Sequence, residues 1–242
     1  MSVLVMRLAG PLQSWGDSSR FSRRTTRHMP TKSGVVGLLS AALGRTREEA
    51  VDDLAQLEMG VRADQPGSLL RDFQTERTCK GEAMPLSHRY YLQDALFIVA
   101  LGGPAALLSQ LDQALKSPRW PLYLGRRSCP AAVPLSLGVR QDADDVREVL
   151  AAEPWHAAEW YRARYGSPKG LDAEFDARNG ESCESRADYP LSFGLSGRAY
   201  ACRPVVTRFL PIPDESAVQQ DEVFDANAET AGTFSHDPMA WM

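Results

Sequence analysis

A strand pattern over Ser2–Leu8, an apolar helical run over Val35–Leu43, strand patterns over Met59–Ala63 and Ala95–Leu101, and an amphipathic helix after Pro104 follow one another along the chain. With a closing edge strand this order is βαββαβ, so the sequence predicts an α+β fold whose main unit is ferredoxin-like. Two further observations complete the prediction. A polar, turn-rich stretch between the second and third sheet strands reads as an inserted arm, and the residues beyond about 140 form a second, smaller unit.

Ser2–Leu8 is rich in Val, Leu and Met and alternates in part, as a central strand does. Pro30-Thr31-Lys32-Ser33-Gly34 opens the first helix, and Gly44 stands where that helix should stop. Thr46-Arg47-Glu48-Glu49 has the form of a capping box, which predicts a second helix burying Ala50, Val51, Leu54 and Leu57. Gly67–Phe73 reads as a strand leading into the arm, expected at about 74–91 and carrying Arg77, Lys80, His88 and Arg89.

Ala95–Leu101 is the clearest buried strand, and Gly102-Gly103-Pro104 turns it into a helix with Ala105, Leu108, Leu111 and Leu115 on one face. Pro130 and Pro134 exclude a long central strand over Tyr123–Leu137 and favour an edge strand or a glycine-proline loop. This closes a first unit over 1–140. For 141–208 helical signals cover Asp142–Leu150 and Pro154–Tyr165, with Trp155, Trp160 and Tyr161 as packing residues. The pattern is irregular after Gly166, and strands return over Gly194–Arg208. Residues 209–242 hold prolines and acids without periodicity, and disorder is expected there.

The chain has 242 residues and is 43% hydrophobic, enough for a sizeable core. No run approaches the ~18 apolar residues of a membrane span, and the N-terminus enters a strand directly without a cleavable signal, so no membrane partner and a cytoplasmic location are expected. Cys79, Cys129, Cys183 and Cys202 lie far apart without a C-x-x-C pair, so neither a metal site nor a disulfide framework is indicated, and no cofactor is expected.

The formal net charge is −4, yet its distribution is uneven. Phe209–Met242 holds seven acids and no Lys or Arg, which leaves 27 bases against 24 acids in the body. Between Ser18 and Arg47 there are seven cations, Arg20, Arg23, Arg24, Arg27, Lys32, Arg45 and Arg47, and no acid. A one-signed loop feeding a helix start concentrates positive potential, since the first backbone N–H groups of a helix are unpaired and Gly34 lets a ligand approach. Solvation of an exposed loop is the competing reading. Nucleotide-binding loops are excluded, because Thr26 and Thr31 stand where a P-loop needs glycine. A second acid-free window, Gln113–Gln141, holds five cations.

Leu8-Ala9-Gly10-Pro11-Leu12-Gln13-Ser14-Trp15-Gly16, followed by Pro30-Thr31-Lys32-Ser33-Gly34-Val35-Val36-Gly37-Leu38-Leu39, resembles the start of the CasD family, the RAMP-type subunits of type I-E CRISPR Cascade. Tyr123-Leu124-Gly125-Arg126-Arg127-Ser128-Cys129-Pro130 and, between the two, Leu70-Arg71-Asp72-Phe73 extend the resemblance over roughly residues 3 to 140. The resemblance implies an RNA-recognition-motif-like fold and a subunit that binds the 5′ handle of CRISPR RNA without cutting it. It also implies partners in the complex, notably the CasC backbone subunit, toward which the arm would reach, and the CasA large subunit.

The candidate RNA-binding residues are therefore Arg20, Arg23, Arg24 and Arg27 in the basic loop, Lys32, Ser33 and Gly34 at the helix start, Arg89 in the arm, and Arg126, Arg127 and Ser128 behind the turn at Gly125. Arginine forks bind phosphate bidentately and stack on bases, which suits a kinked single strand. Trp15, in a glycine-flanked loop, is placed either to stack on a base or to fill the core. No catalytic residue is expected. The alternative is a metal-independent endoribonuclease acting on repeat RNA, with His28, or His88 beside Tyr90 and Tyr91, as general acid-base.

Overall fold

The computed structural model describes residues 2–16 and 23–213. Arg20 and the segment 214–242, with the disorder expected of it, lie outside the described residues. The chain is a mixed α/β fold with mostly antiparallel pairing. A seven-stranded sheet has the order β10 (Glu184–Ser192), β11 (Ala199–Leu210), β9 (Leu171–Asp176), β4 (Glu58–Gln65), β7 (Leu96–Gly103), β1 (Ser2–Ala9) and β8 (Ser136–Arg140), and a smaller sheet pairs β6 (Ser87–Gln93) with β2 (Leu12–Gln13), β3 (Arg23–Arg24) and β5 (Ser68–Gln74).

β1 (Ser2–Ala9) lies between β7 (Leu96–Gly103) and β8 (Ser136–Arg140), antiparallel to both. Its alternation sorts two cores. Leu4, Met6 and Leu8 point to one face and Val3 and Val5 to the other, because successive strand residues face opposite sides. The first face is covered by α1 (Lys32–Leu43) and α3 (Ala105–Lys116), whose Val35, Val36, Leu39, Leu108 and Leu111 pack on β1, β7 and β4 (Glu58–Gln65). The second face is covered by α4 (Val146–Ala152) through Val146 and Leu150. The result is a helix–sheet–helix sandwich with β1 and β7 buried on both sides, which is why Ala95–Leu101 reads as a continuous apolar run.

Several elements differ from expectation. The capping box does not start a helix. Glu49 accepts from the Thr46 N–H at 2.6 Å, but Arg45 forks onto Asp53 and the chain turns, so α2 spans only Asp52–Ala55. The stretch after Gly166 is more regular than its sequence suggests. β9 (Leu171–Asp176) pairs with β4, and β10 (Glu184–Ser192) and β11 (Ala199–Leu210) continue the same sheet. Residues 141–208 thus add strands to the sheet built by residues 2–140. β11 runs through Phe209 and Leu210, and Ile212 packs on the Trp155, Ala157 and Leu171 cluster. Trp155 is buried as expected, whereas Trp160, on α5 (Glu159–Tyr165), is exposed.

The arm is a hairpin of β5 (Ser68–Gln74) and β6 (Ser87–Gln93), registered from Ser68↔Gln93 to Gln74↔Ser87. The strand pattern over Gly67–Phe73 is therefore one half of the arm itself. β2 (Leu12–Gln13) and β3 (Arg23–Arg24) pair with β6, which brings the N-terminal motif and the basic loop to the base of the arm.

Candidate nucleic-acid interface

The segment between α3 and β8 wraps across the front of the first helical layer, and its backbone hydrogen bonds fix where it runs. Arg119 N–H donates to the Ala42 carbonyl at the end of α1, Ser14 N–H to Leu124, and Ala132 N–H to Ala9. The turn at its centre requires glycine. Gly125 has φ +86°, and a Cβ there would stand 1.8 Å from the Ser14 carbonyl oxygen. This contact presses the Gly125-Arg126-Arg127-Ser128 turn onto the N-terminal motif, and the two arginines leave it toward different surfaces.

Arg127 enters a cleft of about 870 Å³ between α1, the 120–130 segment and the turn joining β10 to β11. The floor includes Ser33, Gly34 and Gly37 of α1. Trp120, Tyr123, Phe193 and Tyr200 supply aromatic walls, with Trp120 and Tyr200 well exposed. Arg45, Arg47, Arg127 and Arg198 supply cations, and among the described residues no acid lines the cleft. Arg45 is held by Asp53, whose carboxylate raises the guanidinium pKa, so its charge is partly answered. Arg47, Arg127 and Arg198 are exposed and have no side-chain partner among the described residues. Three unanswered guanidinium groups beside exposed ring faces can hold phosphates and stack bases together.

Arg126 turns the other way. Its guanidinium lies 4.7 Å from the centroid of the Tyr91 ring and donates to the Arg24 carbonyl at 2.8 Å, while its Nη1 is buried with no partner among the described residues. Parallel pairing of β3 with β6 sets Arg23 opposite His88 and Arg24 opposite Arg89. Arg23 covers Tyr90 at 5.5 Å, and Arg89 pairs with Glu76 at 3.0 Å. Arg23, Arg24, Arg89 and Arg126 are thereby gathered at the base of the arm, although they come from three separate stretches of sequence. Arg27 is tied back by its N–H to the Trp15 carbonyl at 2.7 Å.

The helix start departs from the sequence reading. Lys32 is buried, with its Nζ 2.8 Å from Asp176 and 5.4 Å from the Tyr189 ring centroid. Its backbone N–H donates to Asp188 at 2.9 Å, and Thr31 Oγ1 accepts from Gly34 N–H at 3.3 Å. Asp188 supplies the negative charge that the α1 N-terminus favours, and Arg203 completes the network by pairing with both Asp176 and Asp188. Lys32 is therefore a structural residue, which corrects its assignment to a phosphate clamp. Of the two readings open for Trp15, the structure shows the core one. The residue is 1% exposed, and its Nε1–H donates to Gln13 at 3.1 Å. Its ring lies so close to α1 that a Cβ on Gly34 would approach it to 2.7 Å. Gly34 thus serves helix–tryptophan packing, while Ser33 lines the cleft and Ser128 is exposed in the turn.

The histidines lie elsewhere. His28 lines a small separate cleft with Glu174 and Arg186, and His88 faces Arg71 on the hairpin at 3.3 Å. Among the described residues no group of three or more His, Cys, Asp or Glu is arranged to hold a metal ion. No helix among them is long and apolar enough to cross a membrane.

Residues 3–206 match the family described as CRISPR-associated protein (Cas_Cas5). The chain belongs to that family. This Cas5-family chain is 38% identical over 174 residues to the CRISPR system Cascade subunit CasD of Escherichia coli (strain K12), covering 63% of this chain and 78% of that protein. A crystal structure of a Cas protein superposes with a TM-score of 0.69 at 40% identity, covering 88% of this chain and 98% of the other. A chain of a CRISPR RNA-guided surveillance complex superposes with a TM-score of 0.70 at 32% identity, covering 87% and 91%.

Sequence reasoning missed part of the cleft. Arg45 and Arg47 stood in the acid-free window without being selected, Trp120 lies just before the second motif, and Tyr123 opens it. Phe193, Arg198 and Tyr200 gave no local signal, because only the return of β10 and β11 beside α1 brings them to the cleft.

Proposed function

We propose that this chain is the non-catalytic subunit of a Cascade surveillance complex that holds the 5′ handle of CRISPR RNA. The observation that carries the reading is a cleft with no acid among its described lining residues, in which Arg47, Arg127 and Arg198 have no side-chain partner among the described residues and stand beside Trp120, Tyr123 and Tyr200. A single strand entering there crosses the Gly125–Ser128 turn and meets Arg126, Arg24, Arg23 and Arg89 at the base of the arm. Phosphates pair with the arginines, and bases stack on the rings. The 38% identity to a Cascade subunit and the likeness to a surveillance-complex chain support the assembly role.

The strand order β8-β1-β7-β4, with α1 and α3 on one face, supports reading residues 1–140 as a ferredoxin-like, RNA-recognition-motif-like unit, with 141–208 as its smaller C-terminal extension. The arm fits a protein contact. Leu69, Phe73, Met84 and Leu86 are 56%, 63%, 47% and 45% exposed, an apolar display that favours docking on a neighbouring subunit such as CasC. CasA is the second partner in this reading. The cytoplasm is the compartment in which such a complex would work.

The test is binding of handle RNA against a scrambled RNA, with repeat RNA incubated in EDTA alongside. The handle should bind more tightly than the scrambled strand, and the repeat should stay intact. Metal-independent cleavage lost in His28→Ala or His88→Ala would establish the nuclease reading instead.

A further inference from the structure

The family match ends at residue 206, and the described chain ends at Pro213. The 29 residues beyond carry Asp214, Glu215, Asp221, Glu222, Asp225, Glu229 and Asp237 with no Lys or Arg, together with Phe224, Phe234 and Trp241. Acids interspersed with aromatics are the complement of a cleft in which Arg47, Arg127 and Arg198 have no side-chain partner among the described residues and whose walls are aromatic. We propose that the segment 214–242 is an intramolecular occupant of this cleft, which it fills when no RNA is bound.

Reach allows it. Arg198 and Tyr200 line the cleft at the start of β11, and the strand leaves them for the twelve residues to Leu210, about 40 Å away at ~3.3 Å per residue. A 29-residue segment can extend to about 100 Å, so its distal half, which carries Glu229 and Asp237 with Phe234 and Trp241, can return to the cleft. A covalent link holds a segment of this length near its site at an effective concentration of about 1 mM. If the segment alone binds with a Kd of about 0.1 mM, it weakens a competing ligand about tenfold. That factor falls on every ligand that must empty the cleft. An RNA held by phosphate contacts alone loses most of its binding, whereas a handle with base contacts retains enough affinity to displace the segment. Salt screens the acid–arginine attraction, so the competition is strongest at low ionic strength.

The competition with RNA rests on the function proposed above, but occupation of the cleft does not, and the two are separable by experiment. All three hydrophobic clusters lie within residues 3–212, so a chain ending at 213 retains its core. Hydrogen exchange of residues 118–130 and 193–200 is compared between the full chain, the chain ending at 213, and a full-length variant with the seven acids replaced by Asn or Gln. Fluorescence anisotropy with a labelled uridylate 20-mer is run on the same proteins. Exchange in both stretches should be several-fold slower in the full chain than in the other two, and the 20-mer should bind the full chain about tenfold more weakly at low salt. Identical exchange in the three proteins would overturn the proposal even if all bind RNA, and so would protection confined to another surface. Slowed exchange without RNA binding by any of them would uphold cleft occupation and refute the RNA reading.

Discussion

Arg126 and Arg127 are neighbours in sequence and serve two surfaces, so their substitutions should differ in kind. Arg127 is exposed at the cleft, and Arg127→Ala should leave the protein as stable as before while reducing the salt dependence of handle binding by about 0.7 in the slope of log K on log salt. Arg126 stacks on Tyr91 and holds the Arg24 carbonyl, so Arg126→Ala should weaken binding and also loosen the junction of β3 with the turn. Salt titrations of both variants, with thermal unfolding, separate the two effects. Trp15→Ala should cost about 3–5 kcal/mol in denaturant unfolding, because a buried indole is removed from against Gly34 and nothing fills the space. The alternatives for Trp15 could not be separated in the sequence, because a glycine-flanked aromatic looks the same whether it faces a base or a helix. Lys32 misled for a related reason. The carboxylates that hold it, Asp176 and Asp188, lie 144 and 156 residues away, beyond the reach of any local pattern.

At the scale of elements, the first helix shows how local and distant signals combine. Its bounds were readable, since Thr31 caps one end and Gly44 closes the other at φ +79°. Its N-terminus is committed to Asp188, which also accepts from Arg203. Asp188→Ala should therefore strip the Lys32 N–H and Arg203 of an acceptor at once and leave the buried Lys32 and Arg203 cations with Asp176 alone, at a cost of about 3–5 kcal/mol in denaturant unfolding, the usual result of breaking a buried ion pair. The arm should behave in the opposite way. Leu69→Ser with Phe73→Ser removes exposed apolar surface, so folding should be unaffected while incorporation into the complex falls, as read by co-purification with the other subunits. β1 and α3 were legible because each carries its own period, and β7 because it is a continuous apolar run. α2 was not, because the Arg45–Asp53 pair stops the helix from starting at Thr46.

Across the whole molecule, ion pairs join the C-terminal strands to the rest, and they set the response to acid. Arg147, then the Arg178 N–H, and Arg208 hold the Glu181 carboxyl down to about 2 from the ordinary value of 4.5. Arg178 likewise keeps Asp145 below the usual carboxylate range. A depressed folded-state pKa gives stability that is complete above the unfolded pKa and lost as pH falls through the folded one. Stability should thus be flat from neutral pH to about 5 and decline between about 4.5 and 2, which denaturant unfolding across that range would check. Arg147→Ala should make the decline shallower.

The cleft is likewise a whole-molecule feature, since its walls come from α1, the segment before β8 and the β10–β11 turn. The basic windows in the sequence located two of these walls, and the third became visible only once the sheet was assembled. The central claim is that handle RNA lies in this cleft, and photo-cross-linking in the reconstituted complex tests it most directly. With 4-thiouridine placed in the 5′ handle, cross-linked peptides should include Trp120, Tyr123 or Tyr200. Handle cross-links that fall only on other subunits, or on this chain only at surfaces away from the cleft and the base of the arm, would contradict the claim.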